Sequence, residues 1–160
     1  MRIAIASDHA AVELKAELRE YLIELGHEVA DLGPATADRV DYPDYGYLLA
    51  SVVADGTVER GVALCGSGIG ISIAINRNPA CRAALVSEPL SAALAREHNN
   101  ANVISIGARQ HSVEEALFFV DTFIAEPFPG DERHVRRINQ LAEYETTGTI
   151  VGKGVNPPRN

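Results

Sequence analysis

The chain contains few of the residues that mark several protein classes. Its 160 residues include two cysteines, one methionine and no tryptophan, and aromatic residues make up only 6%. Two cysteines are too few for the disulfide framework of a small secreted domain, so reduced thiols and a cytoplasmic location are expected. Asp8 also stands too close to the N-terminus for the apolar region of a secretory signal.

Positive charge and long apolar runs are also scarce. Lys and Arg number 14 against 22 Asp and Glu, which gives a net charge of −8. Without a basic stripe the chain lacks the counter-charge behind most affinity for nucleic acids and anionic membranes, so neither partner is expected. The longest uncharged stretch, residues 61–76, contains four glycines and is too short to span a bilayer. A small molecule is therefore the expected ligand.

The remaining composition, 46% hydrophobic and 22% charged, is that of a globular domain. Apolar runs alternate with helical patterns, which is typical of a parallel sheet flanked by helices. Strands are predicted over residues 2–7, 27–32, 61–65, 82–86 and 102–107. Five such units predict an α/β fold with a Rossmann-like or flavodoxin-like parallel sheet, in which ligands bind at the carboxyl ends of the strands.

Helices are predicted between and after these strands. The first carries a stripe of Leu14, Leu18, Leu22 and Leu25 and ends at Gly26, a residue suited to a left-handed C-terminal position. Three more follow at residues 43–54, 68–77 and 89–97, and Ser112 with Glu115 predicts a capping box for a helix ending near residue 124. A last helix, residues 131–144, is expected to turn Ile138 and Leu141 inward. The predicted domain covers residues 1–146, and residues 147–160 form an extended or disordered tail.

The turn after the third strand, residues 65–70, reads Cys-Gly-Ser-Gly-Ile-Gly. Alternate glycines leave backbone N–H groups free to converge on an anion at the start of a helix. No lysine follows, so the turn is not a nucleotide-binding P-loop, and its glycine spacing is not the dinucleotide fingerprint. A phosphate or an oxyanion of another kind is the predicted ligand.

Cys65 begins this turn, and a helix N-terminus favours the reactive thiolate form of a cysteine. A cysteine phosphatase would need an arginine six residues later, where this chain has Ile71. Proton abstraction next to a carbonyl remains, with the thiolate as base, the N–H groups stabilising an enediolate and Ser67 relaying a proton. Cys81 has no such turn and is predicted to be structural. No closely spaced ligand pair supports a metal site.

Several charged residues have both a functional and a structural interpretation. His98 follows the fourth helix, where it is either an acid–base group or a histidine stabilised by the helix dipole. His9 stands beside an Asp that can also cap a helix. Arg133 and Arg137 lie four apart on one helix face and either grip a phosphate or form a solvated face, and Arg109 follows the fifth strand as a third candidate.

Six motifs in register over residues 1–146 make the chain resemble the ribose-5-phosphate isomerase B family. The resemblance implies a Rossmann-like α/β/α sandwich, a homodimer or tetramer, and no metal or organic cofactor. It also implies aldose–ketose isomerisation of a phosphorylated sugar through a cis-enediolate. The motifs are Ser7-Asp8-His9, Asp41-Tyr42-Pro43, residues 65–72, Ser87-Glu88-Pro89, residues 96–99 and Arg133-His134 with Arg137.

Roles for individual residues follow from the resemblance. Cys65 moves the proton between C1 and C2, Ser67 shuttles the hydroxyl proton, and His98 opens the sugar ring with help from Asp8. The second subunit is expected to supply His98, Asn99 and Arg109. The binding residues so implied are the backbone from Gly66 through Gly68 and Ile69 to Gly70 for the enediolate, His9, Arg109, Arg133 and Arg137 for the phosphate, and Tyr42 and Asn99 for sugar hydroxyls.

The substrate is left open among similar sugar phosphates. Some family members replace the cysteine by glycine and use a glutamate six positions later, which here is Ile71, so Cys65 is the base that this chain offers. Ribose 5-phosphate is the expected substrate, and allose 6-phosphate, galactose 6-phosphate and erythrulose 4-phosphate are alternatives. A non-catalytic sugar-phosphate binding protein and, less favoured, a thiol phosphatase are the competing functions.

Overall fold

The structure, a computed structural model, describes residues 1–150. Its described residues form a five-stranded parallel sheet in the order β2-β1-β3-β5-β4, so the predicted α/β fold is confirmed. The strands are β1 Arg2–Ser7, β2 Glu28–Asp31, β3 Arg60–Cys65, β4 Ala83–Leu85 and β5 Val103–Gly107. A short 3-10 helix at His9–Ala11 is followed by α1 Val12–Glu24, α2 Tyr42–Ala54, α3 Ile69–Ile75, α4 Pro89–Glu97, α5 Val113–Ala125 and α6 Glu132–Thr147.

The chain divides into two compact units. The first, Met1–Phe128, contains the sheet and helices α1 to α5, and the second begins at Pro129 and contains α6. The predicted boundary at residue 146 stays a prediction. None of the helices in residues 1–150 is both long and apolar enough to cross a bilayer.

The three central strands, β1, β3 and β5, are buried on both faces. The apolar runs predict this for β1 and β3; they predict it for β4 as well, which is wrong, because β4 lies at the edge of the sheet and Leu85 is 44% exposed. Residues alternate along each strand between two cores. Ile3 and Ile5 of β1 join the core that includes Leu18 of α1 and Phe119 of α5. Ala4 and Ala6 join the other core, with Leu49 of α2 and further residues of α3. Helices therefore cover both sides of the sheet.

The outer strands are shorter than predicted, with four residues in β2 and three in β4. Each lies at an edge of the sheet and pairs with one neighbouring strand. The capping box of Ser112 and Glu115 at α5 is confirmed, and so is the left-handed Gly26 after α1, with φ +83°. The prediction that Leu25 belongs to the apolar stripe of α1 is wrong, because Leu25 is 48% exposed at the end of the helix.

The last helix differs from its prediction in two ways. It continues to Thr147 and ends at Gly148, which has the left-handed φ of +65° typical of a helix C-terminus. Leu141, predicted to face inward, is 56% exposed, whereas Ile138 is half-buried. The predicted tail lies mostly outside the described residues, which end at Ile150.

Chain topology defines where a ligand can bind. Since the strands are parallel, Ser7, Cys65 and Gly107 end their strands at the same edge of the sheet. The strand order reverses between β1 and β3, and a crevice at the carboxyl ends of such strands is the usual ligand site of open α/β sheets. The turns after β1, β3 and β5 therefore meet at one place.

Candidate active site

The turn after β3 holds the sulfur of Cys65 close to backbone amides. Cys65 Sγ accepts a hydrogen bond from the Gly68 N–H at 3.1 Å. Residue 68 has a left-handed backbone with φ +75°, and a Cβ there would lie 2.6 Å from Leu85 Cδ1 and 2.9 Å from the Ile106 carbonyl carbon. Only glycine meets both constraints, so the amide that contacts the sulfur depends on Gly68.

The other two glycines of the turn give room to side chains from elsewhere in the fold. A Cβ on Gly66 would meet Arg109 Nη1 at 3.3 Å, and one on Gly70 would meet the Tyr42 ring at 2.7 Å. Arg109 and Tyr42 therefore approach the backbone of the turn directly. Ser67 keeps its hydroxyl at the turn, where its Oγ accepts from the Ile69 N–H at 3.3 Å.

These residues surround a cleft of about 410 Å³ at the carboxyl edge of the sheet. Cys65 is only 4% exposed, and it lines this cleft. The cleft brings together predicted residues from four separate parts of the chain. It is lined by Asp8, His9, Ala10, Tyr42, Cys65, Gly66, Ser67, Gly70, Arg109 and Gln110.

Asp8 and His9 form the β1 side of the cleft. Asp8 is 8% exposed, and its Oδ1 accepts from the Ala10 N–H at 2.9 Å, so its interpretation as a helix cap is confirmed. His9 Nδ1 lies 3.2 Å from the Val40 oxygen and 3.4 Å from the Val40 nitrogen. Val40 thus occupies Nδ1 in either tautomer, and Nε2 is the ring nitrogen left for a ligand.

His98 and Asn99 lie at the opposite edge of the sheet. They follow α4 and precede β5, so they stand at the amino ends of the strands, whereas the cleft stands at the carboxyl ends. The Nε2 atom of His98 lies 3.8 Å from Glu97 Oε1. Arg109 was expected from a second subunit with them. That expectation is wrong for this fold, because Arg109 lines the cleft of its own chain.

The half-buried Arg82 and the buried Arg96 hold the loop that carries His98 and Asn99. Arg82 donates to the carbonyls of Asn99 and Asn100, each at 3.0 Å, and Arg96 Nη1 donates to Asn100 Oδ1 at 2.8 Å. Burial, followed by repulsion from nearby Arg60 and Arg82, lowers the pKa of Arg96 to about 10. Asn100 itself has a left-handed φ of +44°. This loop is therefore held by charge-assisted hydrogen bonds in one conformation.

Arg133 and Arg137 lie on α6, in the second compact unit, and both are exposed. Arg133 Nε is 3.1 Å from His134 Nε2, and its Nη2 is 3.8 Å from Asp131 Oδ2. His134 is 4% exposed. The pair therefore occupies one helix face, as its spacing predicts.

Comparison with known proteins identifies the family. A family model described as Ribose/Galactose Isomerase matches residues 3–141. The chain belongs to this isomerase family. Ribose-5-phosphate isomerase B of Mycobacterium tuberculosis is 45% identical over 148 residues, which cover 92% of this chain and 91% of that protein.

Solved structures of the same enzyme class share the fold of this isomerase. Ribose-5-phosphate isomerase B of Clostridium thermocellum superposes with a TM-score of 0.91 at 40% identity, covering 93% of this chain and 100% of that one. The Mycoplasma genitalium enzyme with bound ribulose-5-phosphate has a TM-score of 0.87 at 38% identity, covering 91% and 97%. The predicted Rossmann-like α/β/α sandwich is therefore confirmed.

The isomerase site includes residues that the sequence patterns did not single out. Gln110 lines the cleft, and a second cavity of about 470 Å³ is lined by His9, Arg39, Val40, Asp41 and Arg109. Both unpredicted side chains, Gln110 and Arg39, follow strands in the chain, β5 and β2. The rule that ligands bind after parallel strands was the available signal.

The second cysteine of the isomerase has no part in this cleft. Cys81 is 3% exposed, and its Sγ lies 3.5 Å from the Ala50 carbonyl. Burial raises its pKa, which keeps the thiol neutral, in agreement with its predicted structural role. Within residues 1–150, no group of three or more His, Cys, Asp or Glu side chains is arranged to hold a metal ion.

Proposed function

We propose that this isomerase interconverts ribose 5-phosphate and ribulose 5-phosphate by proton transfer at Cys65. The observation that carries the proposal is the thiol of Cys65, hydrogen-bonded by the Gly68 amide and lining a cleft of about 410 Å³. The bound ribulose-5-phosphate of the Mycoplasma genitalium relative and the names of the other relatives support the choice of substrate.

Cys65 acts on the ring-opened sugar. Its thiolate removes the proton from C2 of the aldose, and the electrons move through C1 onto O1 to form a cis-enediolate. The resulting thiol returns the proton to C1, while Ser67 moves the hydroxyl proton from O2 to O1. Backbone N–H groups of the turn from Gly66 to Gly70 stabilise the negative oxygen, as preorganised amides do for other oxyanions.

Ring opening and binding require groups around this centre. Asp8 lines the cleft and supports His98 in opening the ring, and Tyr42, also in the cleft, contacts sugar hydroxyls together with Asn99. The proposed ligands of the phosphate are four basic side chains, those of His9, Arg109, Arg133 and Arg137.

A second copy of the chain completes the site. His98 and Asn99 stand at the edge of the sheet opposite Cys65, so one chain does not bring them to its own cleft. In the proposed dimer, the loop of each copy that carries His98 and Asn99 lies at the cleft of the other copy, so the two residues reach a Cys65 that they do not reach in their own chain. Because each cleft then contains groups from both copies, the homodimer is the smallest active form, and two dimers can pair as a tetramer. Both cysteines are free thiols, which agrees with a cytoplasmic enzyme.

A panel of four-, five- and six-carbon sugar phosphates, assayed for interconversion under identical conditions, tests the substrate. Ribose 5-phosphate should have the highest kcat/KM. A higher value for allose 6-phosphate, galactose 6-phosphate or erythrulose 4-phosphate would replace it as the substrate. Exchange of the C2 hydrogen in deuterated water tests the proposed proton transfer, because a protein that only binds sugar phosphates leaves that hydrogen in place. Release of inorganic phosphate would instead indicate a phosphatase.

A further inference from the structure

We propose that Arg39, on the loop between β2 and α2, is an additional ligand for the substrate phosphate, in a subsite that also binds a neighbouring hydroxyl group through Asp41. The inference rests on the proposed function, since it names part of the same site. Its starting point is the second cavity, in which Arg39 belongs to none of the sequence motifs.

The second cavity continues the catalytic cleft. It has a volume of about 470 Å³ and shares His9 and Arg109 with the cleft that contains Cys65. A ligand whose reacting carbons lie at Cys65 can therefore extend past His9 and Arg109 toward Arg39. An extended sugar phosphate has this form, with its carbonyl at one end and its charged group at the other.

The basic side chains of this cavity have unused hydrogen-bond donors. Among residues 1–150, neither Arg39 nor Arg109 has a side-chain hydrogen bond or a carboxylate within ion-pair distance, although the chain carries a net charge of −8. Lys15, by contrast, pairs with Asp31 at 2.6 Å. Two unpaired guanidinium groups facing one cavity suit a phosphate dianion, which arginine binds through parallel N–H donors.

Asp41 determines how a sugar phosphate is oriented in the cavity. Its carboxylate lines the same cavity and repels an anion, whereas it can accept a hydrogen bond from a hydroxyl group. It begins α2 but makes no capping hydrogen bond with its side chain, so its oxygens are available. A sugar phosphate with its phosphate at the arginines and a hydroxyl group at Asp41 would pair with the guanidinium groups and donate a hydrogen bond to the carboxylate.

The loop that carries Arg39 is fixed at both ends. At its start, Gly33 donates to Asp31 Oδ1 at 2.9 Å and its carbonyl accepts from the Ser7 N–H at 3.0 Å. At its end, Val40 contacts His9 Nδ1. Arg39 is therefore next to Val40, which contacts the predicted phosphate ligand His9. Because this contact already orders the loop, binding of a ligand costs less conformational entropy.

The test compares Arg39→Ala and Arg39→Lys with the wild-type enzyme, and uses Arg19→Ala as a control that removes one half-buried arginine from α1, outside both cavities. Calorimetry measures the Kd of inorganic phosphate and of ribose 5-phosphate, and steady-state assays give KM and kcat. Arg39→Ala should raise both Kd values and the KM about tenfold, since a hydrogen bond between charged groups is worth about one such step. Its kcat should change less than threefold, and Arg39→Lys should recover part of the loss.

Kd values within twofold of wild type in Arg39→Ala, or an equal loss in Arg19→Ala, would overturn the role of Arg39. Absence of phosphate binding by the wild-type enzyme would overturn the subsite itself. Because inorganic phosphate binds without being converted, a wild-type protein that binds phosphate through Arg39 but does not isomerise ribose 5-phosphate refutes only the proposed function.

The role of Asp41 has its own variant. Asp41→Asn removes the charge of the side chain and keeps its shape. It should raise the Kd of ribose 5-phosphate several-fold, while the Kd of inorganic phosphate stays unchanged or falls. Equal weakening of both ligands would mean that Asp41 only supports the loop, and would remove the hydroxyl contact from the proposal.

Discussion

Cys65 can accept a hydrogen bond from the Gly68 amide because residue 68 adopts a left-handed backbone. Any side chain at this position meets two obstacles, the backbone conformation and the atoms of Leu85 and Ile106 that crowd it. Gly56 shares the left-handed φ, at +78°, but has nothing within 4 Å of an added Cβ. Substitution of Gly56 therefore measures backbone strain alone, whereas substitution of Gly68 measures backbone strain and steric overlap together.

Gly68→Ala should lower the free energy of unfolding by about 2–4 kcal/mol, because left-handed strain of about 1–2 kcal/mol adds to overpacking of similar size. Gly56→Ala should lose about 1–2 kcal/mol from strain alone. Urea denaturation followed by circular dichroism measures both. Equal losses would show that the contacts of Gly68 relax freely on substitution.

Cys65→Ala should reduce kcat for ribose 5-phosphate at least about a hundredfold, since a positioned acid–base group contributes roughly 10²–10⁴. The fold should survive, because alanine fits the space of the thiol. Cys81→Ala is the control, a buried cysteine outside the cleft, and should leave kcat within about twofold of wild type. Near-normal turnover by Cys65→Ala would reject this thiol as the base.

Sequence patterns located the centre of the site but not its full extent. The Cys-Gly-Ser-Gly-Ile-Gly turn has a local cause, a strand end followed by a helix start, and the local pattern was sufficient to find it. Arg39 stands in a loop without periodicity, and its significance comes from a cavity that distant parts of the chain form together. The position of Arg109 at its own cleft likewise depends on the close approach at Gly66.

At the scale of elements, the loop after α4 depends in part on Arg82, which precedes α4 in the chain. Arg82→Ala removes the donors to the carbonyls of Asn99 and Asn100. We expect kcat to fall about tenfold to a hundredfold, because displacement of a catalytic group by about 1 Å has such an effect. KM should change less, since the phosphate ligands stay in place.

Arg82→Lys should restore part of the kcat lost in Arg82→Ala, because lysine also donates to carbonyls, although without the fork of the guanidinium group. Thermal unfolding of each variant provides the control. If kcat and KM are both normal in a destabilised Arg82→Ala, the arginine only stabilises the fold, and the loop does not need it for catalysis.

Elements whose two ends are both marked in the sequence were predicted best. The bounds of β1 and α4 agree with the prediction at every residue, since an apolar run and a Pro-to-Glu helical pattern mark them. Errors fall on β2, β4 and α6, where part of each element is exposed. There the apolar pattern no longer reports burial, so the length of a strand or the inward direction of Leu141 does not follow from it.

For the whole molecule, two inactive variants test whether the site is shared. A mixed dimer of Cys65→Ala and His98→Ala chains contains one site with both residues intact. Mixing equal amounts under conditions of subunit exchange should restore roughly a quarter of wild-type activity, because half of the dimers are mixed and each has one intact site of two. Each variant alone should stay nearly inactive. Failure to recover activity after demonstrated exchange would show that His98 serves its own chain.

The shortness of the outer strands also affects how copies of the chain associate. With four residues in β2 and three in β4, each border of the sheet presents few unpaired N–H and C=O groups to another strand. Long bare borders are the surfaces through which β-proteins add strand upon strand and aggregate. Truncated borders disfavour such continuous polymerisation, so association is left to side-chain surfaces, which can close into a finite assembly.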